Sequence, residues 1–371
     1  MKNILIYTAT GEYNLGDECI LATEVAYFRK RFPEARIEIV TYDPLSTLVP
    51  ASPQIFTLSY FPNAIRRHPL RNLIAFFKNI ISIFRANLIV VGGGGMFYDT
   101  ESGQSFDKLR REWGLRFFLM QLFKKPVAFW SVGIDLSHEH LKQASWWFTY
   151  QKAKISVRDE YSRKLMEDIG VKVEIIRDPV FLWEPAHRIT PRIETSEIPV
   201  KRVGISLRSG YLKDESENIE RIVRYLQAHG FEVIFLSQSF HPTNVLCNDF
   251  EEFRSHAERF HMAITQNMQE TLDLYPTLDF VIGMRLHANI LAVAHGIPFY
   301  TISYGNKTRA ILQDLELSFI QDARNFQFSA FRTQFWQLME SQEDAEFAIG
   351  AKSDILRSDI SISLDSFFHG Y

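Results

Sequence analysis

The chain has few cysteines, no uninterrupted apolar run of membrane length and almost no net charge. Each lack argues against a class of protein. Only two cysteines occur in 371 residues, Cys19 and Cys247. Neither has a CxxC partner, which argues against a disulfide framework or a cysteine-built zinc site and fits a reducing compartment. The formal net charge of −3 lacks the basic excess of nucleic-acid binding, so no nucleic-acid partner is expected. The most apolar stretch, "LIAFFKNIISIFRANLIVVGGGG", is cut by Lys78 and Arg85 and ends in glycines. It falls short of the ~20 apolar residues of a membrane span. The opening "MKNILIYTATGEYN" enters a strand pattern directly, without the apolar region and small-residue cleavage site of a secretory signal. A cytoplasmic location is therefore expected. There is no HExxH and no paired-histidine spacing, so no metal is expected, and G-x-S-x-G is missing too.

What is present is an apolar chain, 46% AVILMFWYC and 14% aromatic, able to bury a sizeable core. Its length suggests two domains of roughly 150–200 residues. Short apolar runs of buried-strand type alternate with amphipathic segments. "NILIYT", "RIEIVTY", "NLIVVGGGG", "PVAFWSVG", "AKISVRD" and "KVEIIRDPV" read as strands, and helices are expected from about Glu18 to Arg31 and over "EYSRKLMEDIG". Continuous apolar strands between helices mean a parallel sheet covered on both faces. The segment from Glu184 to Lys201, with three prolines and mixed charge, reads as a linker. The alternation then restarts with "RVGISLR", "ENIERIVRYLQAHG", "FEVIFLS", "HMAITQ", "QETLDLYP", "DFVIG", "PFYTIS" and "KTRAILQDL". The expected organisation is an N-terminal α/β domain over 1–183, a linker over 184–200, a second α/β domain over 201–345 and a helical tail over 346–371. Two such domains would face each other across a cleft, with ligands at the carboxyl ends of their strands.

That rule sorts the polar residues. After the first strand comes "TGEYNLGDE". Here Asn14 and Asp17 either meet a ligand's hydroxyl or proton, or Asp17 simply caps the next helix. After "LIVV" come Gly92 to Gly95. This is not GxGxxG, yet such a run lets something approach the backbone. Arg158, Asp159 and Asp178 follow other strands and read best as a loop ion-pair network. The second domain is more telling. Arg208 follows "VGISL", Arg285 and His287 follow "DFVIG", and Lys307 and Arg309 follow "YTISYG". Three successive strand ends offering cations describe a pocket for a compact anion bearing phosphate, carboxylate or both. A helix starting near His287 adds its positive end. His287 is suited to moving a proton near neutrality, or else is a first-turn histidine bonded to a neighbouring carbonyl.

Taken in order, "GEYNLGDE", "VVGGGGMF", "ISVRDEYS", "RDPVF", "VGISLR", "GMRLH" and "ISYGNK" resemble the motifs of polysaccharide pyruvyl transferases, over about Met1 to Leu315. One departure is "SYGNK", where the family more often has Asp-Pro before the lysine. The resemblance implies two Rossmann-like domains in a GT-B-like arrangement. It implies no cofactor, with phosphoenolpyruvate as co-substrate and donor. Pyruvate would pass as a ketal onto two hydroxyls of a sugar. Arg208 and Arg285 would hold the donor's carboxylate and phosphate, Lys307 would add a phosphate contact, and His287 would be the acid/base group. From the fold, the acceptor glycan, lipid-linked or free, is expected against Asn14, Asp17 and Gly93, Gly94 and Gly95.

Two rival readings remain at this stage. One is a GT-B glycosyltransferase using a nucleotide-sugar, although its diphosphate seat would be the turn that here carries Arg285, Leu286 and His287. The other is a non-catalytic sugar-binding relative. Separately, "FPNAIRRHPLRNLIAFFKNIISIFR" and "FDKLRREWGLRFFLMQLFKK" are basic, aromatic and roughly amphipathic. They read as covering helices of the first sheet or as a peripheral membrane contact.

Overall fold

A computed structural model of the chain describes residues 1–61, 69–99, 106–184, 200–305, 308–309, 311–312 and 319–371. It divides into two compact units. The first comprises Met1–Tyr13, Asp17–Pro179 and Ile360–Tyr371, the second Asn14–Gly16 and Val180–Asp359. Of the expected linker, residues 185–199 lie outside the described residues. Among the described residues, no helix is long and apolar enough to cross a membrane.

In the first unit, strands β1 (Asn3–Tyr7), β2 (Arg36–Thr41), β3 (Ile55–Ser59), β4 (Leu88–Val91), β5 (Gly94–Tyr98), β6 (Val127–Asp135), β7 (Ala153–Val157) and β8 (Glu174–Ile175) form one sheet. Its order is β3-β2-β1-β4-β6-β7-β8, with β5 paired to β6. Helices α1 (Leu15–Arg31), α2 (Pro69–Arg85), α3 (Phe106–Leu122), α4 (His138–Phe148) and α5 (Glu160–Glu167) connect the strands. The central strands are the continuous apolar runs, and β4 and β6 are buried along their whole length, as a parallel sheet covered on both faces requires. Aromatic rings fill one side of this core: Phe97, Trp113, Phe117, Phe129 and Trp147 pack with centroids 5.2–6.5 Å apart. Strands β3 and β5 were not expected. β3 lies at the sheet edge with none of its residues buried, and β5 begins inside the glycine run, where glycine signals a turn.

The second unit holds β9 (Arg202–Ser206), β10 (Glu232–Phe235), β11 (Ala263–Ile264), β12 (Phe280–Gly283), β13 (Phe299–Ser303) and β14 (Ile320–Asp322). Their order, β11-β10-β9-β12-β13-β14, is all parallel. Counted within the unit this is the dinucleotide-fold order, third-second-first-fourth-fifth-sixth, whose switch point lies between β9 and β12. Helices α6 (Glu215–Ala228), α7 (Asp249–Arg259), α8 (Met268–Leu274), α9 (Leu286–Ala294), α10 (Phe328–Glu340) and α11 (Gln342–Phe367) complete it. The expected helical tail is the end of α11, and its residues from Ile360 onward belong with the first unit.

Candidate functional site

The switch point of the second unit is built from two strand ends. β9 and β12 run in register with Ser206 opposite Gly283. Arg208 and Arg285 each follow two residues later, so a parallel ladder delivers both cations to the same edge. The backbone stitches the ends together: Met284 N–H donates to Ser206 O at 2.7 Å, and Arg208 N–H points at Met284 Sδ at 3.3 Å.

Arg208 is held by two tyrosines. Its Nη1 donates to Tyr304 Oη at 2.9 Å, and its guanidinium lies 4.8 Å from the Tyr211 ring and 5.0 Å from the Tyr304 ring. Aromatic faces of this kind hold a cation without neutralising it. Arg285 is held instead by Asp249, which is fully buried and pairs with its Nη2. Asp249 Oδ2 also accepts from the N–H groups of Gln238 and Ser239, at 2.8 and 3.1 Å. Among the described residues, Nε of Arg285 has no partner. Burial, Asp249 and then Glu215 push the Glu252 carboxyl up, while Arg285 and Arg208 pull it down. Glu252 therefore senses both arginines at once, which puts the two cations in one region.

His287 stands in the first turn of α9. That helix is apolar almost all round, and every residue from Ala288 to Ala294 is buried. Buried Asn289 ties its start to the sheet. Its Nδ2 donates to the carbonyls of Gly283 and Arg285, both at 3.3 Å, and its Oδ1 accepts from Thr301 Oγ1 at 3.2 Å. Gly283 leaves room for it, since a Cβ there would lie 2.8 Å from Asn289 Cγ. The segment Asn14–Gly16 completes the site. Asn14 bridges Ser239, and Leu15 N–H donates to Gln238 O at 2.8 Å. Gly16 meets the His287 ring so closely that a Cβ on it would overlap Nδ1 and Cγ and lie 2.7 Å from His287 Cβ.

Arg208 and Arg285 thus lie just past adjacent strand ends, with His287 in the turn that follows, and Asn14 belongs to this unit rather than the first. Asn14 also caps α1, accepting from Gly16 N–H at 3.0 Å. Asp17 lies inside the first turn and is not the cap residue. Lys307 lies outside the described residues. Arg309 pairs with Asp322 at 3.1 Å.

In the first unit the glycines serve a buried carboxylate. Gly93 N–H donates to Glu24 Oε1 at 2.7 Å, and a Cβ on Gly92 would lie 2.7 Å from Glu24 Cδ. Gly94 passes close to Asp17, and Gly94 and Gly95 pair with β6. The residues Arg158, Asp159 and Asp178 form the expected ion-pair network, but it is buried rather than superficial, with separations of 3.4 Å. A further carboxylate–imidazole pair was not foreseen. Asp99, after β5, binds His140 and accepts from Ser137 N–H at 3.0 Å, with the His140 ring stacked 4.1 Å from Phe106. Asp249, Asn289 and Gly16 were missed as well. Asp249 opens "DFEEFR", where an acid reads as a helix start.

Comparison with known proteins bears on the same elements. The family model described as polysaccharide pyruvyl transferase matches residues 14–306, from Asn14 through the strand ends that carry Arg208, Arg285 and His287. The chain belongs to the polysaccharide pyruvyl transferase family. No curated protein matches this pyruvyl transferase family member by sequence. Solved structures match its fold. Anabaena Alr3699/HepE in complex with UDP-glucose has a TM-score of 0.63 at 11% identity, covering 99% of this chain and 100% of its own. The UDP-GlcNAc 2-epimerase from Neisseria meningitidis bound to UDP-GlcNAc gives 0.61 at 12%, covering 99% of each chain. A glycosyltransferase from Rickettsia africae gives 0.58 at 11%, covering 100% of this chain and 99% of its own. At such identities the likeness is one of fold, the α/β GT-B class with two Rossmann-like units.

Proposed function

We propose that this family member transfers pyruvate from phosphoenolpyruvate onto two hydroxyls of a sugar, in a cell-surface polysaccharide or its precursor, forming a ketal and releasing phosphate. The observation that carries the reading is the pair of arginines two residues beyond the register pair Ser206–Gly283, with an imidazole in the turn that follows. Phosphoenolpyruvate presents a carboxylate and a phosphate on one carbon, and two guanidinium groups on adjacent strand ends suit that double anion. Among the described residues the buried Nε of Arg285 has no hydrogen-bond partner, and Lys307 would add a phosphate contact by family resemblance.

The reaction needs no redox change. A proton goes to the methylene carbon of the enol, and C2 becomes cation-like. One sugar hydroxyl adds to C2, the C2–O bond to phosphate breaks, and the second hydroxyl closes the ring. Of the two hydroxyl protons, one is finally matched by the new methyl group and the other leaves with phosphate. His287 is the proposed proton carrier. The arginines stabilise phosphate as it departs, the preorganised electrostatic contribution that is usually largest in such sites. Asp17 is the proposed second proton carrier. In the first unit, Asp17, Gly94 and Gly95 are the proposed acceptor contacts, whereas the N–H of Gly93 serves Glu24.

The test is a donor screen that measures inorganic phosphate with a panel of acceptor glycans. Release from phosphoenolpyruvate only with acceptor present, lost in His287→Ala, supports the proposal. Unchanged release in that variant ends the catalytic assignment. The nucleotide-sugar reading draws on the ligands bound by the fold neighbours, UDP-glucose and UDP-GlcNAc. A thermal shift with UDP-sugars and none with phosphoenolpyruvate would favour it.

A further inference from the structure

Helix α2 is built the wrong way round for a helix that only covers a sheet. Its buried face is Asn72, Ala75, Asn79, Ser82 and Ile83. Asn79 docks it by hydrogen bonds, donating to Ser59 O at 3.1 Å and accepting from Tyr7 Oη at 3.4 Å, and also donates back to Ala75 O of the same helix at 2.8 Å. Most of the large apolar side chains point outward. Leu70, Leu73, Ile74, Phe77, Ile81 and Phe84 are between 47% and 69% exposed. At 100° per residue they form one stripe opposite the buried face. Arg71, Lys78 and Arg85 recur every seven residues as a second stripe along one flank, also exposed, and α2 contains no carboxylate. The patch continues onto α3. Phe84 packs on Phe123, just past α3, at 5.4 Å, and Lys125 Nζ lies 5.5 Å from the Phe84 ring. From there Leu122, Phe118 and Leu115 extend the exposed apolar surface.

We propose that this face docks on an anionic lipid bilayer, α2 lying in the interface with its apolar stripe in the acyl boundary and its cations among the headgroups. The charge pattern selects the occupant. A chain of net charge −3 has gathered cations and no acid along this one helix, and a row of Lys and Arg beside an apolar stripe complements a negatively charged leaflet. A second copy of the chain fits worse, because a two-fold contact would oppose this positively charged face to itself with no carboxylate on α2 to offset it. The inference stands apart from the donor chemistry, since its test reads binding and not activity.

The experiment is co-sedimentation of the full chain with vesicles of phosphatidylcholine, alone or with about one third phosphatidylglycerol. Binding to the anionic vesicles, weakened by added salt, is expected. The double variant Phe77→Asp with Ile81→Asp changes only exposed side chains, so thermal stability should hold while partitioning falls about tenfold or more. Arg71→Ser, Lys78→Ser and Arg85→Ser together should abolish the preference for anionic vesicles. The proposal is overturned if the wild type stays in the supernatant, or if the apolar variant sediments like it. It is equally overturned if the chain forms a dimer in solution that Phe77→Asp with Ile81→Asp dissolves, which assigns the face to a second copy.

Discussion

Gly16 lies against the imidazole of His287, in a contact that admits no Cβ. The two residues are remote in sequence, yet both belong to the second unit, because Asn14 and Leu15 are paired to the segment after β10. The glycine of "NLGDE" therefore shapes the wall of the proposed donor site. In an ordinary helix, Gly→Ala would stabilise by about 1 kcal/mol. Here Gly16→Ala must displace the ring, and a misplacement of about 1 Å costs about 100-fold in rate. Steady-state assays should show kcat close to that of His287→Ala with KM for phosphoenolpyruvate little changed. Activity within about twofold of wild type would mean that the ring has no fixed working position.

Asp249 orients Arg285 and at the same time accepts two backbone N–H groups. Asp249→Asn keeps an acceptor oxygen but removes the charge that fixes the guanidinium. It should raise KM for phosphoenolpyruvate about tenfold. Asp249→Ala strands a largely buried cation and both N–H groups, and should cost about 3–5 kcal/mol in urea unfolding. A KM unchanged in the asparagine variant would show that Arg285 does not touch the donor.

The parts of the site legible in the sequence were those carried by strands. "VGISL" and "DFVIG" announce buried parallel strands, and a cation just beyond each must sit at the carboxyl edge, so Arg208, Arg285 and His287 followed from period and position. What escaped was set by tertiary contact. Neither Gly16 nor Asp249 lies on these strands, and each matters only through the residue it meets. For α2, the 3.6-residue period was plain, but the apolar side is inward only when apolar groups do the docking. There Asn79 docks the helix instead, and the face is inverted. The glycine run hinted correctly at a close approach, but what approaches Gly92 and Gly93 is the chain's own Glu24.

Arg158 and Asp178 form an ion pair whose members are almost completely buried. Gly133 makes room for it, since a Cβ there would lie 2.7 Å from Arg158 Nε. Arg158 also holds buried Asp159, so Arg158→Met leaves two carboxylates in a dry core and should destabilise by about 3–5 kcal/mol. Adding Asp178→Leu removes one of those carboxylates, and the double variant should recover part of that loss. The check is thermal unfolding of the single and double variants. A single variant that melts within a degree or so of wild type would mean the pair is solvated in solution, because about 1 kcal/mol already moves a transition by several degrees.

Glu24 gives the chain a pH dependence of unusual direction. Its carboxyl is fully buried, and burial raises it from its ordinary 4.5 to about 8, against the opposing Gly93 N–H and with Asp178 adding to the rise. The folded state therefore holds a proton that the unfolded chain has given up, between about pH 4.5 and about pH 8. Stability from this group is fully present below the lower value and is lost as pH rises through the upper one. One proton of difference corresponds to a slope of at most about 1.4 kcal/mol per pH unit. Glu24→Gln keeps an oxygen for the Gly93 N–H and cannot ionise. It should match the wild type at pH 5 and exceed it at pH 8 in denaturant titrations. Curves for the two proteins that stay parallel across that window would show the carboxylate charged and satisfied in the folded state. In that case Gly92 and Gly93 would be solvating an anion rather than accommodating a neutral acid.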